Sequence, residues 1–267
     1  MDDDAPQHFG LDPRKLSLAE FWRAPQRGSF LAGLFLKLVP IQIPVPRAVP
    51  LTETLIEIDP ADRPLAAQRL RPIVAELERL GYALAFWYRE DIVQPHGEDA
   101  AVVLLASDGR TYASAFFSSA RIADKPIEDL RTVFVSRLDR RIVVTSNVAG
   151  EMDAPPEFDG EIVRGTLADA HARHHERIHG ATGDAYRGSS DAFVFDRDAL
   201  RRFVVTVSRR VVEHGVARGV FTPMKREQVE ALRRGESTAI AKRGPSLRTT
   251  ALLWAVVAVL VTIIALL

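Results

Sequence analysis

The chain has 267 residues, 47% of them hydrophobic and 26% charged, which are proportions typical of a folded protein. Its 35 basic residues are balanced by 35 acidic ones, and this neutrality argues against a nucleic-acid partner, which usually binds a basic face. The sequence contains no cysteine, so disulfides, thiolate metal sites and a cysteine nucleophile are excluded.

Residues 1–50 are predicted to hold a short helix followed by a proline-rich arm. Ser17 is followed three residues later by Glu20, the pattern of a capping box at a helix N-terminus. Four prolines lie between residues 40 and 50, behind an apolar run that begins at residue 30. Because proline excludes a regular helix, we expect an extended arm packed along the domain. A proline-rich ligand for a partner protein is the alternative interpretation.

Residues 51–150 are predicted to form an α+β domain. Apolar residues at three- and four-residue steps indicate a helix over 61–80, which Gly81 ends. Asp108-Gly109 between two apolar runs is typical of a β-hairpin turn. Residues 53–58 could form a short strand, and residues 82–89 are rich in aromatic side chains. Four strands are then indicated in two hairpins, 100–107 with 110–118 and 130–138 with 141–146. We expect a four-stranded antiparallel meander with one face covered by the helix.

Residues 151–235 are predicted to form a helical segment. A polar break at 150–160 precedes a helix over 167–179, and a longer helix over about 196–214 is stopped by Gly215. A last short helix begins at Thr222-Pro223 and ends at Gly235. Residues 236–248 are polar and basic, which is typical of a flexible tether.

Residues 249–267, TTALLWAVVAVLVTIIALL, contain no charge, glycine or proline. As a helix at about 1.5 Å per residue the stretch spans roughly 28 Å, close to the hydrocarbon thickness of a bilayer. A buried core helix, the alternative, usually shows a polar stripe or a cap, and this stretch has neither. The sequence therefore predicts a single transmembrane anchor whose partner is the lipid bilayer.

The charges around this stretch predict its orientation. Lys242, Arg243 and Arg248 precede it, and the acidic start of the chain, MDDDAPQHFG, is unlike a signal peptide. By the positive-inside rule we expect residues 1–248 in the cytoplasm. This is the topology of a single-pass, tail-anchored membrane protein.

One motif suggests catalytic chemistry. Residues 175–179, His-Glu-Arg-Ile-His, match the H-E-x-x-H pattern of zinc metallopeptidases. In that pattern His175 and His179 would share a helix face and bind zinc, and Glu176 would activate a metal-bound water.

The surrounding sequence argues against a zinc site. Arg177 occupies a position that is usually uncharged in such helices, and no familiar third-ligand motif follows. On a helical wheel Leu167, His171, His174 and Ile178 form the buried stripe, and the 175/179 pair lies roughly 70–110° away on a solvated flank. A solvated or half-packed histidine cluster is the preferred interpretation.

Three functions follow as hypotheses. The first is a membrane-tethered, non-enzymatic interaction or scaffolding module with an unknown protein partner and no cofactor. The second is a membrane-bound zinc-dependent hydrolase that uses the 175–179 motif. The third binds a small apolar ligand between sheet and helices, in a pocket lined by Phe86, Trp87, Phe116 and Phe117.

Overall fold

A computed structural model of the protein describes residues 8–17, 19, 20, 48–51, 55–93, 98–122, 125–138, 141–148, 153–179 and 194–236. In these ranges the protein is α+β, with four α-helices, a seven-stranded sheet and a three-stranded sheet. The predicted fold class is confirmed at this level. The predicted four-stranded antiparallel meander is wrong, because the large sheet has seven strands and is mixed.

The large sheet follows the chain without a change of strand order. Its strands are β3 (Ile56–Glu57), β4 (Tyr82–Arg89), β5 (Asp99–Ala106), β6 (Thr111–Ile122), β7 (Lys125–Leu138), β8 (Arg141–Ser146) and β9 (Phe158–Ile162). Neighbouring strands are antiparallel from β3 to β8, and β9 pairs with β8 in parallel. Strand β9 overlaps the polar break predicted at 150–160. Its sequence FDGEI carries no alternating apolar pattern, so nothing in the sequence indicated a strand there.

The hairpin between β5 and β6 is confirmed, with Leu105 paired to Tyr112. The turn is a four-residue connection in which the Gly109 amide donates to the Ala106 carbonyl oxygen at 2.9 Å. Gly109 has φ +68°, a conformation that other residues rarely adopt. Its carbonyl oxygen accepts a hydrogen bond from the Phe195 amide at 2.8 Å, so the turn also holds a distant segment.

The four helices are α1 (Pro64–Arg79), α2 (Leu167–His179), α3 (Arg197–Ala217) and α4 (Arg226–Arg233). α1 begins later than predicted because residues 60–62 form a separate 3-10 turn, capped by the Asp59 side chain. α2 has the predicted bounds. α3 runs past the buried Gly215, and Gly219, with φ +69°, follows its end.

The helices cover both faces of the large sheet. On one face α1 and α2 enclose apolar side chains that include Leu70, Leu77 and Phe134, all fully buried. On the other face α3 packs Leu200 and Phe203 against the sheet. Successive strand residues point to opposite faces, so each strand contributes to two apolar clusters.

The small sheet joins the two ends of the described chain. Its order is β10-β1-β2, with β1 (His8–Leu11) between β2 (Ala48–Pro50) and β10 (Phe221–Pro223). Phe9 of β1 packs with Phe221 of β10 and Val212 of α3. The segment predicted to be helical, 151–235, therefore also contributes strands β9 and β10.

Several predicted features lie outside the described residues: most of the arm at 21–47, the tether from residue 237 and the predicted transmembrane anchor at 249–267. Among the helices that the structure describes, none combines the length and apolarity needed to cross a membrane. The division of the chain at residues 51, 151, 236 and 249 stays a prediction.

Candidate functional site

The helix of the H-E-x-x-H match lies on the sheet, and the residues of the motif differ in exposure. His175 and Glu176 are exposed, and the Glu176 carboxylate accepts a hydrogen bond from Arg173 Nη1 at 3.1 Å. The side chain of His179 lies outside the described set. Within the described residues no three His, Cys, Asp or Glu side chains are grouped to hold a metal ion. The zinc site at 175/179 therefore stays a prediction.

His174, one residue before the motif, is the histidine that the fold buries. It is 1% exposed, and its ring packs 5.9 Å from the ring of Phe134, centroid to centroid. Its Nε2 is hydrogen-bonded to Ser136 Oγ at 3.1 Å, and its Nδ1 to Thr145 Oγ1 at 2.9 Å. The wheel prediction that His174 belongs to the buried stripe is confirmed.

The Ser136–His174 contact has the geometry of a nucleophile and a general base, yet its surroundings exclude that chemistry. Ser136 is 1% exposed and also bonded to Thr111 Oγ1 at 2.7 Å, so no substrate reaches its hydroxyl. Burial, with the charge of Arg177 as the next cause, lowers the pKa of His174 to about 3. A base with so low a pKa accepts a proton poorly at neutral pH. The network fixes α2 to the sheet.

Arg177, whose charge is unusual at its position in the H-E-x-x-H pattern, has a structural role. Its Nη1 donates to the Val144 carbonyl oxygen at 2.8 Å and to Thr145 Oγ1 at 2.9 Å. Its Nη2 donates to the Asp159 carbonyl oxygen at 2.6 Å. One guanidinium thus joins α2 to strands β8 and β9.

The four aromatic residues predicted to line an apolar pocket do not share one. Phe86 and Phe116 lie on the sheet face covered by α3, whereas Trp87 and Phe117 lie on the face covered by α1 and α2. The reason is the alternation of side chains along β4 and β6. The pocket hypothesis in that form is wrong.

Asp99, which no sequence motif singled out, combines burial with a side-chain oxygen that is unpartnered among the described residues. It is the first residue of β5 and shares a sheet face with Ala101 and Val103, which lie in the α3-side cluster. It is 6% exposed, and its Oδ2 is buried without a hydrogen-bond partner in the described structure.

Burial raises the pKa of Asp99 to about 7, against an ordinary value of 3.8. The charges of Arg63 and Arg89 lower this pKa, but not enough to offset burial, and the carboxylates of Glu90 and Asp91 raise it further. Strongly shifted groups of this kind are concentrated at functional sites. The corner where α1 begins, β4 ends and β5 begins is therefore the candidate functional site.

The same corner holds a second buried polar atom without a partner among the described residues, Arg63 Nε. Arg63 precedes α1, but its side chain does not cap the helix; instead Glu98 Oε2 accepts from the Ala66 amide at 3.2 Å. The predicted strand begins at residue 100, so residues 98 and 99 lie outside it. An Asp directly preceding AAVVLLA was the available signal.

Comparison of the chain with protein-family models, curated proteins and solved structures finds no match.

Proposed function

We propose that this protein is a membrane-anchored, non-enzymatic interaction or scaffolding module. The stretch 249–267 would span the bilayer, and the α+β domain would lie at the cytoplasmic surface and bind a protein partner. One observation carries the proposal: nineteen consecutive residues without a charge, glycine or proline, preceded by Lys242, Arg243 and Arg248.

The end of the described chain is compatible with this arrangement. Gly235, with φ +77°, follows α4, and its amide donates to the Leu232 carbonyl oxygen at 3.0 Å. Such a left-handed residue commonly terminates a helix. The tether predicted at 236–248 begins directly after it.

Two contacts support a non-enzymatic function. The Ser136–His174 pair is enclosed between α2 and the sheet, where substrate has no access. Glu176, the general base of the alternative hydrolase, is exposed and ion-paired with Arg173. A water-activating carboxylate works best in a site from which bulk water is excluded.

The anchor is tested by deleting residues 249–267 and by replacing them with nineteen Leu and Ala residues as the matched control. We expect the intact chain and the Leu/Ala chain to remain with membranes after alkaline carbonate extraction, and the deleted chain to be released. If the deleted chain still needs detergent, the apolar arm at 30–50 is a membrane element and the proposed topology is wrong.

The alternative is a membrane-bound zinc-dependent hydrolase with His175 and His179 as ligands and Glu176 as base. Elemental analysis of untagged protein separates the two functions. The alternative predicts one zinc per chain that is lost in His175→Ala and His179→Ala but kept in Glu176→Gln, which would lose only activity. The non-enzymatic proposal predicts no stoichiometric metal in any of these proteins.

A further inference from the structure

Strand β9 is the last strand of the large sheet, and its outer edge is open within the described part of the chain. Among the described residues it pairs with β8 on one side and with no strand on the other. Gly160, in the middle of β9, is exposed, and a Cβ atom added to it would meet no described atom within 4 Å. Such an edge carries backbone groups that can pair with a further strand.

The hydrogen bonds to β8 show which backbone groups of β9 point to the open edge. The Ile142 amide donates to the Glu157 carbonyl oxygen at 3.0 Å, and the Val163 amide donates to the Ser146 carbonyl oxygen at 2.9 Å. A strand bonds to one neighbour through alternate residues, so the odd-numbered residues from 157 to 163 face β8. The backbone groups of the even-numbered residues 158, 160 and 162 therefore point outward.

The side chains of β9 divide between the two faces of the sheet. Asp159 Oδ1 is paired with Arg177 Nη2 at 2.8 Å, and Glu161 Oε1 is paired with Arg173 Nε at 2.9 Å. Both arginines belong to α2, so the two acids lie on the face that α2 covers. By the alternation of a strand, the side chain of Ile162 lies on the opposite face, where it is 38% exposed.

We propose that β9 pairs with β9 of a second copy of this chain, antiparallel and related by a two-fold axis at Gly160. The two large sheets then form one continuous sheet. In this register Gly160 lies opposite its own copy, and Phe158 lies opposite Ile162 of the second copy. The exposed Ile162 side chain is covered by the Phe158 ring, and the absence of a side chain at Gly160 leaves room between the two contacts.

The sequence of β9 favours a second copy over an unrelated strand. FDGEI has a central glycine with an apolar residue two positions to either side, so reversing the strand places apolar residues opposite apolar residues. A two-fold interface needs this self-complementarity, because one surface must match itself. On the other face Asp159 lies opposite Glu161 of the second copy. Like charges in that position are normally destabilising, but each of these acids is already paired with an arginine of its own α2.

The backbone groups also determine the extent of the pairing. Gly160 supplies both an N–H and a C=O group at the axis, and the Ile162 amide reaches the Phe158 carbonyl oxygen of the second copy. The Phe158 amide already donates to the Pro155 carbonyl oxygen at 2.9 Å, which limits the pairing to the length of β9. Five residues from each copy form a small interface, so we expect a weak, reversible dimer. The proposal does not depend on the membrane anchor, since β9 belongs to the described domain.

The first experiment compares Gly160→Pro with Gly160→Ala by sedimentation equilibrium of the full chain in density-matched detergent micelles. Proline removes the outward amide hydrogen but no bond to β8, whereas alanine keeps that hydrogen and adds its Cβ atom in open space. We expect the intact chain and Gly160→Ala to dimerise with similar dissociation constants. In Gly160→Pro the constant should rise at least about tenfold, because the hydrogen bonds at the axis are lost. A monomeric intact chain, or a dimer of equal strength in Gly160→Pro, would overturn the proposal.

The second experiment tests the register without proline. The chain contains no cysteine, so Gly160→Cys introduces a single thiol at the proposed axis, and Ala168→Cys introduces one at an exposed position of α2 as the matched control. A short bismaleimide should convert Gly160→Cys into a covalent dimer and leave Ala168→Cys monomeric under the same conditions. Equal cross-linking of both variants, or none at residue 160, would refute the pairing around Gly160.

Discussion

Arg218 and Glu20 are 198 residues apart in the chain and form a bidentate ion pair in the folded protein. Arg218 Nη1 donates to Glu20 Oε1 at 2.6 Å, and Nη2 donates to Oε2 at 2.8 Å. Glu20 is 1% exposed, and its carboxylate also accepts from the amides of Ser17 and Asp153. One carboxylate thus ties together the N-terminal segment, the end of α3 and the segment that follows β8.

Replacement of Glu20 by Gln should destabilise the protein by roughly 3 kcal/mol, because it leaves Arg218 with only the more distant Asp153 carboxylate, at 3.9 Å, as a charged partner. Glu57→Gln, which removes an exposed pair with Arg197 and Arg201, is the matched control and should cost less than about 1 kcal/mol. Urea unfolding of the three proteins measures both values. Equal losses in the two variants would show that burial adds nothing to the Glu20 pair.

Glu20 also predicts an acid transition. Burial alone raises its pKa, but the hydrogen bonds from Arg218, Ser17 and Asp153 outweigh burial and lower the pKa to about 2, from 4.5. A carboxyl whose pKa is lower in the folded state stabilises the fold above pH 4.5 and loses that contribution as the pH falls toward 2. Glu20→Gln should therefore show a weaker loss of stability than the intact chain between these two pH values.

His174→Ala should destabilise the protein by about 2–4 kcal/mol, since it opens a cavity beside Phe134 and removes one hydrogen bond from each of the buried hydroxyls of Ser136 and Thr145. His175→Ala is the matched control, because His175 is exposed on the same helix and should cost within about 0.5 kcal/mol. Thermal melts of both variants measure the difference. The reverse order would mean that the exposed flank of α2, not its buried stripe, holds the helix.

Asp99 and His174 should oppose each other in their effect on stability between about pH 4 and pH 6.5. Asp99 has a higher pKa in the folded state, about 7 against 3.8, so its contribution to stability decreases as the pH rises through this range. His174 has a lower pKa in the folded state, about 3 against 6.5, so its contribution increases with pH. Each slope is about 1.4 kcal/mol per pH unit, and the two nearly cancel.

Replacing either Asp99 or His174 should reveal the pH dependence of stability that the other residue causes. We expect Asp99→Asn to lose about 3 kcal/mol more than the intact chain when the pH is lowered from 6.5 to 4. His174→Gln should instead gain stability over the same interval. Urea titrations at a series of pH values test this, and parallel curves for the intact chain and Asp99→Asn would contradict it.

Gly109→Val should weaken the β5–β6 hairpin by about 1–3 kcal/mol, because φ at this residue is +68°. The structure adds a second reason: a Cβ atom at Gly109 would lie 2.8 Å from Val194 Cγ1. Gly81→Ala and Gly109→Ala separate the two effects, since Gly81 has φ +90° but no atom within 4 Å of its added Cβ. The melting temperature should fall further for Gly109→Ala than for Gly81→Ala. Equal decreases would mean that backbone strain accounts for the whole effect and that the contact with Val194 adds nothing.

Local patterns in the sequence were enough for the elements that depend on near neighbours. The apolar stripe of α1, the bounds of α2 and the burial of His174 follow from helical periodicity, which is a property of residues three and four apart. The β5–β6 hairpin follows from Asp108-Gly109 between apolar runs. The capping box of Ser17 and Glu20 is likewise local, and both of its hydrogen bonds are formed.

Tertiary structure alone decided the features that depend on residues far apart. Strand β9 has no apolar alternation. It belongs to the sheet because it pairs with β8 and because Arg177 of α2 donates a hydrogen bond to the Asp159 carbonyl oxygen. The second role of Glu20 requires Arg218, and no spacing in the sequence links them. Asp99 is the first residue of β5, and only the position of that strand in the assembled fold buries its carboxyl. Burial is a property of the assembled layers, so a shifted pKa cannot be read from an amino acid and its immediate neighbours.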